Sequence, residues 1–435
     1  MKITIASLFP SLYSEFWKTS ILGRAIKSGI CDVRMLNMFD FVEQKKRIDS
    51  TLVGHGDGML IGAEVVERVY DAAVSQESKK PYTIFFSPHG KKLDQDGLKD
   101  LYRVISSQEK DLLLFAGRYE GFDARAEEHY ADEILSIGDY VLMGGDLPVM
   151  VFLEGLLRLI PGVVGKVGSV ENDSFSGAFL DCPHYANPST WKGRVIPDVL
   201  KSGNHGLVNE WRERQAINRS ICQNWEWVRK HVHEKLEKQK IKEALPHHYC
   251  VLLHNDVMMP NNCPGTSSVT SIDIHDIARS GATYGIKKYF IVTRFEAQQK
   301  IVEKFLSFWH NEDSNKINAS RAFALQNVSV VSELSDVLRI IENEEGKKPI
   351  TVVTSSRKHI SHHAMISYHE QGEVWKQGRP VVFIFGTAHG IDPELMNTFD
   401  YRLLPIEGLE EFNFLSVRSA VAVIFDRWFG CNNIK

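Results

Sequence analysis

The chain has 435 residues, 43% of them hydrophobic and 24% charged, and a formal net charge of −4. At roughly 100 to 200 residues per domain, two or three globular domains are expected rather than a disordered or fibrous chain. A weakly negative total excludes nucleic-acid binding by the whole surface, so any RNA surface must be local. The six cysteines (Cys31, Cys182, Cys222, Cys250, Cys263, Cys431) contain no C-x-x-C pair. Free thiols in a reducing cytoplasm fit this spacing better than a disulfide framework or a zinc site. No run approaches the ~18 apolar residues of a membrane span, and Met1 to Pro10 lacks a cleavable apolar core, so a cytoplasmic protein is expected.

Residues 1 to about 160 alternate short apolar strands with helices: Ile3 to Leu8, a helix from Ser11 to Lys27, Asp32 to Met38, a helix near Glu64 to Ala73, and Tyr82 to Phe86. This predicts a mostly parallel sheet with helices on both faces. Two further strands follow. Leu112 to Phe115 is too short and apolar for anything but a buried strand, and it empties into Gly117-Arg118-Tyr119-Glu120-Gly121. Glu133 to Ile137 empties into Gly138-Asp139-Tyr140-Val141-Leu142-Met143-Gly144-Gly145 before Pro148 opens a helix. Two neighbouring glycine loops make either a backbone-lined place for a flat ligand or two ordinary strand-to-helix turns. The G-x-G-x-x-G fingerprint is absent, and Gly162 to Lys166 fails the P-loop spacing.

The helix from Pro148 runs to about Ile160, with Val151, Phe152, Leu156, Leu159 and Ile160 on one side. Within it Glu154 and Arg158 have the spacing of an exposed ion pair. Residues 162 to about 174 are rich in glycine and small residues and read as a linker ending at Asp173, by itself a turn or cap residue. From Ser189 to Glu243 there are twelve Lys or Arg against seven Asp or Glu, interleaved with Trp191, Trp211, Trp225 and Trp227. Such a segment suits phosphates and splayed bases, and it also suits a small helical bundle with tryptophans in its core. The stretch from Trp225 through Lys242 reads as one charged helix.

From His247 the alternation begins again: strands at Tyr249 to His254, Lys288 to Thr293, Val328 to Val331, Ile350 to Thr354 and Val381 to Phe385, with helices at Asp273 to Thr283, Glu296 to Trp309 and Glu333 to Asn343. Phe115 to Asp123 and Phe385 to Asp392 share G-x-x-x-G, an apolar residue and Asp after an apolar strand. Asp132 to Gly138 is echoed by Asp400 to Gly408, and a closing helix, Val417 to Trp428, ends at Gly430. A second copy of the first architecture is inferred, with Gly386, Gly390, Ile406, Gly408, Leu415 and Ser416 as its candidate cofactor contacts and Asn413 and Arg418 as polar neighbours. Arg118 and Glu120 correspond to Thr387 and His389, so the catalytic side chains are not repeated. His359, His362 and His363 have helix spacing that suits a metal but lack a carboxylate or cysteine to complete it. Ala388 stands where a nucleophile elbow needs serine.

The motifs SLFP (Ser7 to Pro10), FSPHGKKLDQ (Phe86 to Gln95), GRYEG, SIGDYVLMGGDLP, ENDSF (Glu171 to Phe175), DCPHY (Asp181 to Tyr185) and SGNH (Ser202 to His205) occur in that order. Over residues 1 to 245 the chain thereby resembles the bacterial tRNA (guanine-N1)-methyltransferases of the SPOUT superfamily, which modify the guanosine at position 37. The resemblance implies an α/β fold whose parallel sheet carries a deep trefoil knot over residues 1 to 161, a linker at 162 to 180 and a helical tRNA-holding domain at 181 to 246. A second SPOUT-like domain, 247 to 435, resembles methyltransferase domains of unassigned substrate. The resemblance of residues 1 to 245 also implies S-adenosylmethionine held by Pro88, Gly117, Glu120, Ile137, Gly138, Asp139, Tyr140, Val141, Leu142, Gly144 and Gly145. Asp173 would be the general base and Arg158 the catalytic arginine, with His184, Ser202, Asn204 and His205 near the tRNA. A homodimer is implied, acting on tRNA and not on DNA or a membrane, and magnesium assists some members. The departure from that pattern is Gly54-His55-Gly56-Asp57-Gly58-Met59, where the family has G-G-G-P-G-M. A cofactor-sensing RNA-binding protein without turnover is the alternative this departure leaves.

Overall fold

The computed structural model describes residues 1–54, 56–75, 79–164, 173–260, 262–357 and 364–431, except the side chains of 312–315. His55, Glu171, Asn172, most of the glycine-rich linker and the His359, His362 and His363 group lie outside the described residues. The chain forms two compact units, Met1–Ser176 and Gly177–Lys435. No helix among the described residues is long and apolar enough to cross a membrane.

In the first unit the strands are β1 (Lys2–Ser7), β2 (Asp32–Asn37), the hairpin β3 (Asp49–Thr51) and β4 (Met59–Ile61), β5 (Tyr82–Lys92), β6 (Leu112–Phe115) and β7 (Glu133–Ser136). The five long ones form one parallel sheet in the order β2-β1-β6-β5-β7. Both faces are buried, which is why β6 reads as an unbroken apolar run. Leu112 and Leu114 join the core beneath α1 (Ser20–Lys27), α3 (Gln95–Ser107) and α5 (Asp146–Leu157). Leu113 and Phe115 face α2 (Ala63–Val74) and α4 (Ala124–Tyr130), and the Phe115 ring stacks on Phe85 at 4.5 Å.

Two expectations change here. In place of one helix over Ser11 to Lys27 there is a single 3-10 turn, Pro10–Tyr13, and then α1. Thr19 spends its hydroxyl on Glu15 O at 2.6 Å, and Ser20 has φ 49°, which a continuous helix does not permit. Helix α5 starts at Asp146, ahead of Pro148, and it buries Val149, Phe152, Leu153, Leu156 and Leu157 while Val151 is exposed.

The second unit begins with the hairpin β8 (Thr190–Trp191) and β9 (Arg194–Val195), followed by α6 (His205–Gln223), α7 (Trp225–His231) and α8 (Lys235–Ala244). The expected single helix over 225 to 242 is broken. Val232 turns fully into the core, and Glu234 opens α8 with a reciprocal capping box to Glu237. Next come β10 (His248–Leu253), the small pair β11 (Val257–Met258) and β12 (Pro264–Gly265), α9 (Ser271–Tyr284), β13 (Lys288–Val292), α10 (Glu296–Trp309), α11 (Glu312–Leu325), β14 (Val328–Val331), α12 (Leu334–Glu345), β15 (Ile350–Val353), β16 (Met365–Ile366), α13 (Gln371–Trp375), β17 (Val381–Gly386), α14 (Pro393–Met396), β18 (Tyr401–Leu403) and α15 (Val417–Phe429).

Its parallel sheet runs β14-β13-β10-β17-β15-β18-β16. The central five strands, β13-β10-β17-β15-β18, follow the same order as the first sheet: second, first, fourth, third, fifth along the motif. Ile217, Ile221, Trp225 and Val228 of the helical segment belong to the same core as Cys250, Phe383 and Trp375. Trp225 meets Trp375 edge to face at 5.1 Å. Gly430 ends α15 with φ −57°, because any Cβ there would strike the carbonyl of Asp426, and not because a left-handed turn is needed.

Candidate active sites

In the first unit, the loops leaving β6 and β7 cross. Gly145 N donates to Gly117 O at 2.7 Å, and Arg118 bridges to Gly144. A Cβ on Gly145 would lie 2.8 Å from Gly117 N, so only glycine allows this approach. Beside the crossing is a cavity of about 140 Å³ lined by Ser87, Pro88, Gly117, Glu120, Ile137, Gly138, Tyr140, Val141, Leu142, Gly144 and Gly145 among others. Asp139 does not line it and pairs with Lys92. The third wall is a bulge in β5, where four residues loop out between Phe86 and Lys91. Glu120 is tied to the β4 side by its backbone N–H to Met59 O, 2.9 Å, and its side chain lies over Gly58, whose φ is 111°. Asp57, in the same segment, is exposed.

A buried network braces the crossing, and the sequence reading did not find it. Asp146, 2% exposed, receives Arg118 Nη2 at 2.8 Å, Ser7 Oγ at 2.6 Å and Tyr13 OH at 3.1 Å. Burial first, and Asp146 second, push the Tyr13 phenol well above its ordinary pKa, so it stays a donor. Ser7, Arg118 and Asp146 all lie inside motifs quoted above, but nothing local joins them. Near the bulge, Glu127 is 6% exposed with His89 Nε2 3.4 Å away. Burial raises its carboxyl, and His89 acts in the opposite sense.

Arg158 follows the last turn of α5, and its described partner is Asp173 rather than Glu154. The two predicted catalytic side chains therefore meet across fifteen residues, partly exposed. Neither lines the cavity of its own chain.

Among the predicted tRNA contacts, Asn204 caps α6 by accepting from Gly206 N and Leu207 N, and Ser202 bonds Val199 O at 2.7 Å. His205, the first residue of α6, is exposed. His184 Nε2 lies 2.8 Å from Asp181 Oδ2. The Asp181 carboxyl is raised by burial but lowered more by bonds from His184 and Cys182, ending below its ordinary range. Asp181, Cys182 and His184 are the one metal-ligand grouping among the described residues, with ligand atoms within 4.8 Å of one another. Burial, then Asp181, raise the Cys182 thiol, which disfavours the thiolate a metal needs. Of the tryptophans, Trp225 is core, while Trp191 is exposed beneath Lys192 at 5.0 Å.

The second unit repeats the first loop closely. Tyr119 and Gly121 have φ 58° and 105°, and Ala388 and Gly390 have 51° and 95°. Asp123 and Asp392 each cap the following helix. Asp132 accepts from Thr83 N and Asp400 from Thr351 N, both at 2.8 Å and both across 49 residues. Added Cβ atoms at Gly117 and Gly386 would strike Phe122 at 2.9 Å and Ile391 at 2.6 Å. The cavity here is larger, about 630 Å³, and takes in Gly386, Gly390, Ile406, Leu415, Ser416, Asn413 and Arg418 but not Gly408. It also takes in Ser267, Thr270 and Asp273. Their sequence signal was the Thr270-x-x-Asp273 helix start, since Thr270 Oγ1 accepts from Asp273 N.

Residues 1–230 match the family described as tRNA (Guanine-1)-methyltransferase TrmD, and residues 247–430 match the one described as SAM-dependent RNA methyltransferase. A tRNA (guanine-N(1)-)-methyltransferase of Nitratidesulfovibrio vulgaris is 32% identical over 441 residues, covering 99% of each chain. One of Oleidesulfovibrio alaskensis is 32% identical over 439 residues, again 99% of each. One of Pseudoalteromonas atlantica is 42% identical over 217 residues, 50% of this chain and 80% of its own.

Proposed function

The chain belongs to the tRNA (guanine-N1)-methyltransferase family, and from that premise we propose that its first unit moves the methyl group of S-adenosylmethionine to N1 of the guanosine at position 37, 3′ of the tRNA anticodon. The observation that carries this is the meeting of Arg158 with Asp173.

The residues around the first cavity fit the donor. Gly117 and Gly145 permit the close crossing of the loops that line the cavity, and Pro88, Ile137, Tyr140 and Leu142 add apolar surface for an adenosine. The bound donor supplies an electrophilic methyl on a sulfonium. Backbone amides of 137 to 142 would hold its adenosine, and Glu120 would serve its amino-acid end. The neutral guanine N1 carries a proton and is a poor nucleophile. Asp173 accepts that proton, a step typically worth ~10² to 10⁴ in rate. Charge then spreads to the guanine O6, and Arg158 donates to it. Residues 117 to 145 form the trefoil knot of this reading, supported by the crossing of the two loops. A homodimer accounts for a catalytic pair away from its own chain's cavity and for apolar residues such as Val141, which lines the cavity, and Met143 in the same loop, 83% and 91% exposed. The basic segment 189 to 243 with exposed Trp191 holds the tRNA, and the second unit is a further RNA methyltransferase domain using the same donor.

The test is transfer of labelled methyl to tRNA with a guanosine 3′ of the anticodon. Asp173→Ala and Arg158→Ala should each lower the rate by ~10² to 10⁴ while donor binding is kept. Wild-type protein that binds donor and tRNA yet transfers nothing would overturn the reading.

A further inference from the structure

The second cavity has lost the carboxylate that Glu120 offers in the first, because His389 occupies that position. Among the described residues lining it, Asp273 is the one carboxylate. A donor bound there meets a different polar wall, and the proton positions in that wall are settled by a chain of hydrogen bonds. Thr387 Oγ1 lies 2.9 Å from Leu253 O, and a carbonyl can only accept, so Thr387 spends its proton there. Ser267 Oγ lies 2.5 Å from Thr387 Oγ1 and must donate to it. His254 Nδ1 is 2.9 Å from Ser267 Oγ and must donate in turn.

His254 is fully buried, and burial, against the pull of Asp273, brings its pKa down to about 4. It is thus a neutral imidazole with its hydrogen on Nδ1. Ser267 and Thr387, both on the cavity wall, have no proton left to offer and present only oxygen lone pairs. Whatever group binds them must be a donor.

Resting on the reading that the second unit takes S-adenosylmethionine, we propose that Ser267 and Thr387 receive the ammonium of the donor's amino-acid end, with Asp273 as its counter-charge. Asp273 suits that role because, among the described residues, its Oδ1 has one long contact, 3.4 Å, with Arg418 Nη1, while Oδ2 is held by Thr270 Oγ1 at 2.6 Å. The two units therefore read the same end of one cofactor with different chemistry: a glutamate in the first, and hydroxyl oxygens fixed by a neutral histidine in the second.

Titration calorimetry on the full chain tests this with two ligands, S-adenosylmethionine and 5′-methylthioadenosine, which keeps the adenosine end but has no ammonium. Wild type should show two binding events for S-adenosylmethionine. Thr387→Val should weaken the second by about tenfold to a hundredfold, as expected for bonds to a charged group. Thr387→Ser should restore it, 5′-methylthioadenosine should bind the variant as it binds wild type, and guanine methylation by the first unit should be unchanged. Unaltered S-adenosylmethionine binding by Thr387→Val, with two events retained, overturns this inference alone. Equal weakening of both ligands also overturns it, because the oxygens then face the adenine. A single event in wild type overturns the donor-site reading of the second unit and this inference with it.

Discussion

The loops Gly117 to Asp123 and Gly386 to Asp392 trace one backbone path with two sets of side chains. Glycines, a capping aspartate and an apolar residue under the turn are common to both, and these are the residues that determine φ, ψ and packing. The slots between them are free. In the first unit Arg118 reaches Asp146; in the second Thr387 closes a hydroxyl chain to His254. Path and chemistry are set by different residues, so one can be kept while the other changes.

The largest way to break that comparison is Asp146→Ala. It strands Arg118, three-quarters buried, and removes the acceptor for Ser7 and Tyr13, a loss of roughly 3 to 5 kcal/mol in the first unit. Two-transition melting should show that unit alone moving. If both units shift together, they do not fold as separate cores.

Asp132→Ala and Asp400→Ala sharpen the comparison. Each removes a strand N–H acceptor, but Asp400 also holds Thr351 Oγ1 at 2.8 Å. Asp400→Ala should cost about 1 to 3 kcal/mol, Asp132→Ala less, each confined to its own unit in denaturant titration. Equal costs would mean that the extra hydroxyl bond contributes nothing.

The last way to test it is pH. His248 and His254 are held neutral by burial, at about 3 and about 4 against an ordinary 6.5. As pH falls below 6.5 the unfolded chain takes up protons first, so the second unit loses stability from pH 6.5 down to about 3. Glu127 has the opposite sense. Its carboxyl, raised above 4.5 by burial, holds a proton more tightly when folded, so it costs the first unit stability at neutral pH and less toward 4.5. Glu127→Gln should raise the first unit's melting temperature at pH 7 to 8, with the gain vanishing near pH 4.5. A gain independent of pH would mean that packing, and not charge, is the cause.

Much of this could be read from the chain. The alternation of strands and helices, the two glycine loops and the pairing of Asp132 with Asp400 follow from local rules about apolar periodicity, positive φ and capping. Arg158 and Asp173 came from motif likeness, and their contact required the fold. The break at Val232 was missed because charged residues fill both helices evenly, and only burial of Val232 and the Glu234 cap separate them. Gly408 was placed at the second cavity by analogy, but the loop from Glu407 to Ser416 is longer than its counterpart and carries that glycine away.

By itself the sequence determined where this backbone must turn and which strands must be buried, because those depend on a residue and its near neighbours. The tertiary structure alone decided which polar groups meet: Ser7, Tyr13 and Arg118 on Asp146, and His254, Ser267 and Thr387 in one line. Hydrogen bonds between residues on different elements, up to 139 positions apart, leave no periodic trace, since each partner satisfies its own local pattern equally well with or without the other.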